Sequence, residues 1–236
     1  MSDYRELARW IKESKHTIVL TGAGMSTESG LRDFRSSEGW WQNYNPKELA
    51  SIQNMKSNYP LFHQFYSMRI EELRKHEPHK GHAILAHWEQ KGLIHGIATQ
   101  TVDGYHQKAG SRRVFELHGR LDEIRCVRCG RHMTVDMFLG HQVCSHCSGH
   151  LRPGVVLFGE RLPQDTWQLT MKEIMGAELV IVIGTSLTVY PVADLPTMSS
   201  GKTVYINMEN LQTTIPFHMV FEGSAGHILE AIDQYL

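Results

Sequence analysis

The chain lacks a run of about 18 apolar residues, so it offers no segment suited to cross a bilayer as a helix. Its first 14 residues carry charges throughout and contain no apolar stretch of the kind that directs export. Net charge is nearly absent: 24 Lys and Arg against 25 Asp and Glu leave −1 at pH 7. That balance argues against a protein built to coat nucleic acid or an anionic membrane. Internal repeats and low-complexity tracts are missing as well. The expectation is a cytoplasmic protein with no direct nucleic-acid partner and no membrane partner. Cysteine is scarce, four in 236 residues, and in a reducing compartment those four are not expected to form disulfides.

What is present is enough for a buried core, with 41% hydrophobic and 21% charged residues. Tyr4, Leu7, Ala8 and Ile11 recur at helical spacing and predict an opening amphipathic helix. Thr17 to Leu20 is a short apolar run that enters the turn Thr21-Gly22-Ala23-Gly24. Similar short runs predict strands over 94–99, 114–117, 155–158, 179–183 and 203–206. Helical patterns fall within 47–75 and over 81–91, 164–176 and 226–236. This alternation predicts an α/β fold with a Rossmann-like, doubly wound parallel sheet. Residues 122–153 differ: they hold all four cysteines and little periodicity. The expected division is a Rossmann-like domain of residues 1–121 and 154–236, carrying a small metal-held insert at 122–153. The smaller unit is expected to recruit helices from 36–80.

Cys126-x-x-Cys129 and Cys144-x-x-Cys147 form two knuckles 14 residues apart. Two such pairs let four thiolates converge on Zn2+ at about 2.3 Å. Four thiolates leave no open coordination position, so the metal is expected to be structural. His132, His141 and His146 are nearby but are not needed as ligands.

The loop Gly22 to Gly30 has the form Gly-x-Gly with a later glycine, and Asp33-Phe34-Arg35 follows. Small residues let backbone N–H groups approach a pyrophosphate, and Arg35 offers a guanidinium. Alone, such a loop is also an ordinary tight turn between strand and helix. Gly184-Thr185-Ser186 follows one predicted strand, and Asn207 and Glu209 follow the next. Residues just past the C-terminal ends of parallel strands line the ligand crevice of such folds. Together these pieces point to a dinucleotide. Gln100, Asp103 and His118 are polar groups at strand ends that packing does not require. A lone histidine is more often structural, but this placement makes His118 a general-base candidate.

At this point the sequence resembles the sirtuins, NAD-dependent protein-lysine deacylases. The matching pieces are the loop Gly22–Gly30, Asp33-Phe34-Arg35, Thr99-Gln100, Val102-Asp103-Gly104 and Leu117-His118-Gly119. The two cysteine knuckles, Phe158-Gly159-Glu160, Gly184-Thr185-Ser186 and Asn207 follow in the family's order. The resemblance runs from about residue 5 to 235. It implies an NAD-binding Rossmann-like domain with a small zinc-ribbon insert at 122–153, and a cleft that takes NAD and an acyl-lysine protein or peptide. Gly22, Ala23, Gly24, Thr27, Phe34 and Arg35 would lie against NAD. Gln100, Thr101, Val102 and Asp103 would form the nicotinamide and ribose pocket. Gly184, Thr185, Ser186, Asn207, Glu209 and Ala225 would hold the adenosine half. Val156 and Phe158 would line the acyl-lysine tunnel, with the peptide adding as a strand beside residues 154–160.

In the implied mechanism, the acyl oxygen attacks the ribose as nicotinamide leaves, with Gln100, Asp103 and His118 as the catalytic set. His118 removes a proton from the adjacent ribose hydroxyl. The products are nicotinamide, free lysine and O-acyl-ADP-ribose, and zinc takes no part. The family usually has Asn where this chain has Thr101, whose hydroxyl is shorter and lacks the amide. The alternative is a slow deacylase acting mainly as an NAD-binding or ADP-ribosyl-transferring protein. Tyr66-x-x-Arg69 places a hydroxyl and a guanidinium on one helical face. On spacing alone that is also an ordinary surface face. The pair and the small Ala50 nevertheless resemble the bacterial desuccinylase and demalonylase type of sirtuin. This implies removal of succinyl and malonyl groups, with deacetylation retained.

Overall fold

The structure, a computed structural model, describes residues 2–34, 39–43, 45–208 and 215–236. Six strands form a parallel sheet: β1 (Thr17–Thr21), β2 (Gly96–Thr99), β3 (Val114–Glu116), β7 (Leu179–Ile183), β8 (Lys202–Asn207) and β9 (Met219–Glu222). Three more, β4 (Ile124–Cys126), β5 (His132–Met133) and β6 (Leu151–Pro153), form a small antiparallel sheet. The large sheet runs in the order β3-β2-β1-β7-β8-β9, so the direction of winding reverses between β1 and β7. A crevice opens at such a reversal, because the connections on either side leave it in opposite directions.

Both faces of the large sheet are covered, and the residues of β1 and β7 are buried throughout. Alternate side chains go to opposite faces. Val19 and Ile181 pack with Leu7 and Ile11 of α1 (Ser2–Glu13) and Leu85 and Trp88 of the later helix Lys80–Gln90. Leu229 of the closing helix Ala225–Asp233 joins them. Ile18, Leu20, Val180 and Val182 go the other way, onto Ile174 of the helix Gln164–Met175 and Leu195. Each such side chain contributes about 1.5–3 kcal/mol of burial. A separate apolar cluster joins Phe62, Phe65 and Tyr66, from α2 (Tyr59–Leu73), to Phe138, Leu151, Val155 and Leu157. The cysteine-bearing segment thus packs on α2 rather than on the large sheet.

One expected strand is absent from the structure, and two of the elements present carry no signal in the sequence. Residues 155–158 do not form a strand in either sheet. Pro153 ends β6, and beyond it Val156 N–H donates to His118 O and Phe158 N–H to Ala50 O, two unrelated segments. β9 was not anticipated: it is an edge strand in which Phe221 alone is buried, too little apolar alternation to signal a strand. The 3-10 turns over Val192–Met198 were not anticipated either, and Pro196 lies within them.

The β1 and β7 loops touch through glycine. Gly24 N–H donates to Gly184 O at 2.8 Å, and Gly184 has φ 61°. A Cβ on Gly184 would lie 2.3 Å from Met25 N. Gly184→Ala is therefore expected to lower stability by about 2 kcal/mol or more, read by urea unfolding. Unfolding at the wild-type midpoint would contradict this account of the loop contact.

Candidate active site

Because the strands are parallel, β1, β2, β3, β7 and β8 deliver their C-terminal residues to one edge of the sheet. Gln100 continues β2; its N–H donates to Thr21 O at 2.9 Å, and its side-chain amide donates to the Thr185 hydroxyl at 2.9 Å. The Thr185 carbonyl accepts the Tyr205 hydroxyl, which in turn accepts from the Asn207 amide at 3.1 Å. Gln100, Thr185 and Asn207 are thereby linked across three strand ends. Ser186 hydrogen-bonds Thr188 at 2.8 Å. The Glu28 carboxylate accepts Gly226 N–H at 2.6 Å, tying the first glycine loop to the helix that begins at Ala225. Arg35 and Glu209 lie outside the described residues.

The glycine loop differs in detail from expectation. Gly22 N–H donates to Ile183 O at 2.9 Å, and Gly24 N–H is taken by Gly184 O. These two N–H groups serve loop-to-loop contact and do not face an open phosphate position. Thr27 is likewise turned inward, its hydroxyl donating to Gly24 O at 3.0 Å.

A cleft beside this loop is lined by Ala23, Ser26, Phe34, Arg69, Thr101, Val102 and Asp103. Burial pushes the Asp103 carboxyl up, and its donors work against that. Tyr105 N–H donates to Oδ1 at 2.9 Å and the Ser26 hydroxyl to Oδ2 at 2.8 Å. His118 sits past β3 with Nδ1 3.2 Å from Gln100 O. A carbonyl only accepts, so Nδ1 carries the proton and Nε2 keeps its lone pair. Burial lowers the His118 pKa from the ordinary imidazole value, against the Gln100 carbonyl, which raises it. Gly119 is required next to it: with φ 71°, a Cβ there would stand 2.0 Å from Gly154 O.

The loop 154–160 carries Val156 and the exposed Phe158. A buried ion pair shapes it: Arg152 Nη1 meets Glu160 Oε1 at 2.6 Å, and Nη2 reaches both Glu160 Oε2 and Val155 O. Glu160 Oε2 also accepts Leu157 N–H at 2.9 Å. Sequence reading missed Arg152, since no local pattern pairs charges eight residues apart. It also passed over Ser26, although that residue lies in the loop that drew attention.

Tyr66 is fully buried; burial pushes its phenol up to about 12, against the nearby Arg69 guanidinium, which works to lower it. The Arg69 guanidinium lies over the Phe34 ring at 5.0 Å and the Tyr66 ring at 5.7 Å. The pair thus faces inward, and Arg69 lines the cleft. Ala50 is buried, bonded through its carbonyl to Phe158 N–H.

The four cysteine sulfurs lie within 4.8 Å of one another, with Cys126–Cys147 at 3.4 Å and Cys129–Cys144 at 3.6 Å. A tetrahedron with Zn–S of about 2.3 Å has edges of about 3.8 Å, so the donor set fits Zn2+. Arg128 N–H points to Cys126 Sγ, as a knuckle turn requires.

A family model described as the Sir2 family matches residues 22–191. An NAD-dependent protein deacetylase 1 of Geobacillus kaustophilus is 42% identical, over 98% of this chain and 97% of that protein. An NAD-dependent protein deacylase 2 of Archaeoglobus fulgidus is 38% identical, over 98% and 94%. Among solved structures, a Sir2 protein with deacetylated p53 peptide and 3'-O-acetyl ADP-ribose superposes with TM-score 0.93 at 33% identity, covering 98% of this chain and 97% of that one. A Sir2 complex with p53 peptide and NAD+ gives TM-score 0.89 at 34% identity, over 97% and 96%.

The metal reading has a direct check. Purified protein is expected to contain about one zinc per chain, and Cys147→Ala to lose it and to loosen the 122–153 segment, because structural zinc binding is also folding free energy. Folded, zinc-free wild-type protein would contradict this.

Proposed function

The chain belongs to the Sir2 family, and from that premise we propose how its residues remove acyl groups from protein lysines, acetyl together with succinyl and malonyl. The coarser activity is that of an NAD-dependent protein deacetylase or deacylase with NAD as cosubstrate and zinc in the cysteine cluster. A slow deacylase acting mainly as an NAD-binding or ADP-ribosyl-transferring protein is not favoured, since the relatives are named for deacetylation and deacylation.

Bound NAD supplies the ribose carbon from which nicotinamide departs and the hydroxyls that receive the acyl group. With NAD bound, Asp103 would accept from the nicotinamide amide N–H, and Gln100 and Val102 would close the pocket around the adjoining ribose. His118 acts through Nε2: its lone pair takes the ribose hydroxyl proton, while the Gln100 carbonyl holds Nδ1–H and with it the tautomer. Phe34 covers the reacting centre against water. Thr185, Ser186, Asn207, Glu209 and Ala225 would hold the adenosine half, and Arg35 would reach a phosphate of NAD. The peptide adds along residues 154–160, fixed by Arg152 and Glu160, with Val156 and Phe158 at the tunnel mouth.

One observation carries the acidic-acyl reading: Arg69 lines the cleft against the Phe34, Phe65 and Tyr66 rings and forms no ion pair with a carboxylate among the described residues, although Glu72 and Asp103 line the same cleft. A half-buried guanidinium so placed is a receptor for a substrate carboxylate. The Tyr66 phenol, kept neutral by burial, is a second donor. Ala50 leaves room for a longer chain.

Two measurements test these roles. His118→Ala is expected to lower kcat by about 10²–10⁴-fold, the usual loss for a general base. A base must be neutral to act, and burial disfavours the charged imidazole. The acid limb of the wild-type rate profile is therefore expected below the ordinary histidine value of about 6.5. A limb centred above that value would contradict His118 as the base. For the acyl reading, a panel of acetyl, succinyl and malonyl peptides is compared between wild type and Tyr66→Phe/Arg69→Met. Loss of the partner cation should lower kcat/KM for the acidic groups by about 10²-fold while acetyl changes little. An unchanged succinyl-to-acetyl ratio would leave plain deacetylation as the function.

A further inference from the structure

Behind the cleft, a line of buried side chains runs from the back of the β1–β2 edge to Asp103. His106 Nε2 lies 2.9 Å from Thr21 Oγ1, Thr21 Oγ1 2.8 Å from Thr99 Oγ1, and Thr99 Oγ1 2.8 Å from Thr101 Oγ1. The Thr101 hydroxyl in turn faces the Asp103 carboxylate and favours its charged form. Thr21, Thr99, Thr101 and His106 are at most 5% exposed, so bulk water does not compete along the line.

Donor and acceptor counting gives the line one direction. A carboxylate only accepts, so Thr101 donates to Asp103 and must accept from Thr99. Thr99 accepts from Thr21, and from Thr101 N–H at 3.0 Å, which fills its remaining capacity. Thr21 has then given its only proton to Thr99, and it accepts from His106 Nε2–H. The other ring nitrogen of His106 has no hydrogen-bond partner among the described residues, consistent with the proton residing on Nε2. Burial, with His79 adding to it, pushes His106 down to about 3, so the ring stays neutral and the direction does not reverse. Packing alone does not call for this arrangement, since valine would fill positions 21 and 99 without burying hydroxyls.

We propose that His106, Thr21 and Thr99 are positioning residues for NAD turnover: their one-way chain of hydrogen bonds aims the Thr101 hydroxyl at Asp103 and fixes that carboxylate in the orientation that receives nicotinamide. This rests on the reading of Asp103 as part of the nicotinamide pocket. It also gives Thr101 a role of its own: its hydroxyl terminates the chain and orients a carboxylate instead of reaching ribose.

The test compares Thr99→Val, Thr21→Val, the double variant, Thr99→Ser and Asp103→Asn, each checked for zinc content and melting temperature. The readouts are inhibition by free nicotinamide, KM for NAD and KM for acetyl peptide. Cutting the chain is expected to weaken nicotinamide inhibition about tenfold, the size of one buried hydrogen bond, and to raise KM for NAD, with peptide KM unchanged. Thr99→Ser restores both to within about twofold, and the double variant is no worse than Thr99→Val, since a chain already cut loses nothing more. Should Thr99→Val fail to fold, Thr21→Val, one link further from the cleft, carries the same test. Folded valine variants with wild-type nicotinamide inhibition, or losses that add in the double variant, overturn the chain. If Asp103→Asn also leaves nicotinamide inhibition unchanged, the pocket assignment falls and the chain with it. If Asp103→Asn weakens inhibition and the valine variants do not, the chain alone falls.

Discussion

The contact between Gly24 and Gly184 is the constraint on which the site depends. It joins the loops after β1 and β7 at the point where the sheet reverses its winding. With those loops held together, Gln100 reaches Thr185 from the next strand, and Glu28 reaches the start of the closing helix. A side chain at either glycine would separate the loops and with them the two ends of a dinucleotide crevice. The same close approach explains why the N–H groups of Gly22 and Gly24 are bonded within the protein and not held open.

A second contact brings the chemistry to that crevice. His118 uses its carbonyl to hold Val156 and its ring to hold the Gln100 carbonyl. One residue therefore links the cofactor side to the loop beside which a peptide adds. Burial shifts the two principal titrating groups in opposite directions, Asp103 up and His118 down. Desolvation disfavours charge on both, and the result is a neutral imidazole on one side of the site and, on another, a carboxylate that depends on its donors. Tyr105 N–H and the hydroxyls of Ser26 and Thr101 fill that role, and the two hydroxyls are why the interior behind the cleft is polar where the rest of the sheet is aliphatic.

Much of this was legible in the sequence. Apolar runs marked the four inner strands of the large sheet and its edge strand β3, because parallel strands covered on both faces read as continuous hydrophobic segments. The cysteine spacing gave the metal site, since two turns with fixed geometry need no distant partner. The edge strand β9 was illegible because one side chain of four is buried. Residues 155–158 looked like a strand for their composition, but Pro153 and the Arg152–Glu160 pair hold them as a loop. The hydrogen-bonded line from His106 to Asp103 draws on residues 21, 99, 101 and 106, which only the pairing of β1 with β2 brings together. No local pattern marks it.

The central claim is that this cleft couples cleavage of NAD to transfer of an acyl group from lysine. Nicotinamide release, followed with and without an acetyl-lysine peptide, tests it most directly. Release is expected to require the peptide and to match O-acetyl-ADP-ribose and free lysine one for one. Nicotinamide released at the same rate without peptide, or without acylated product, would contradict it.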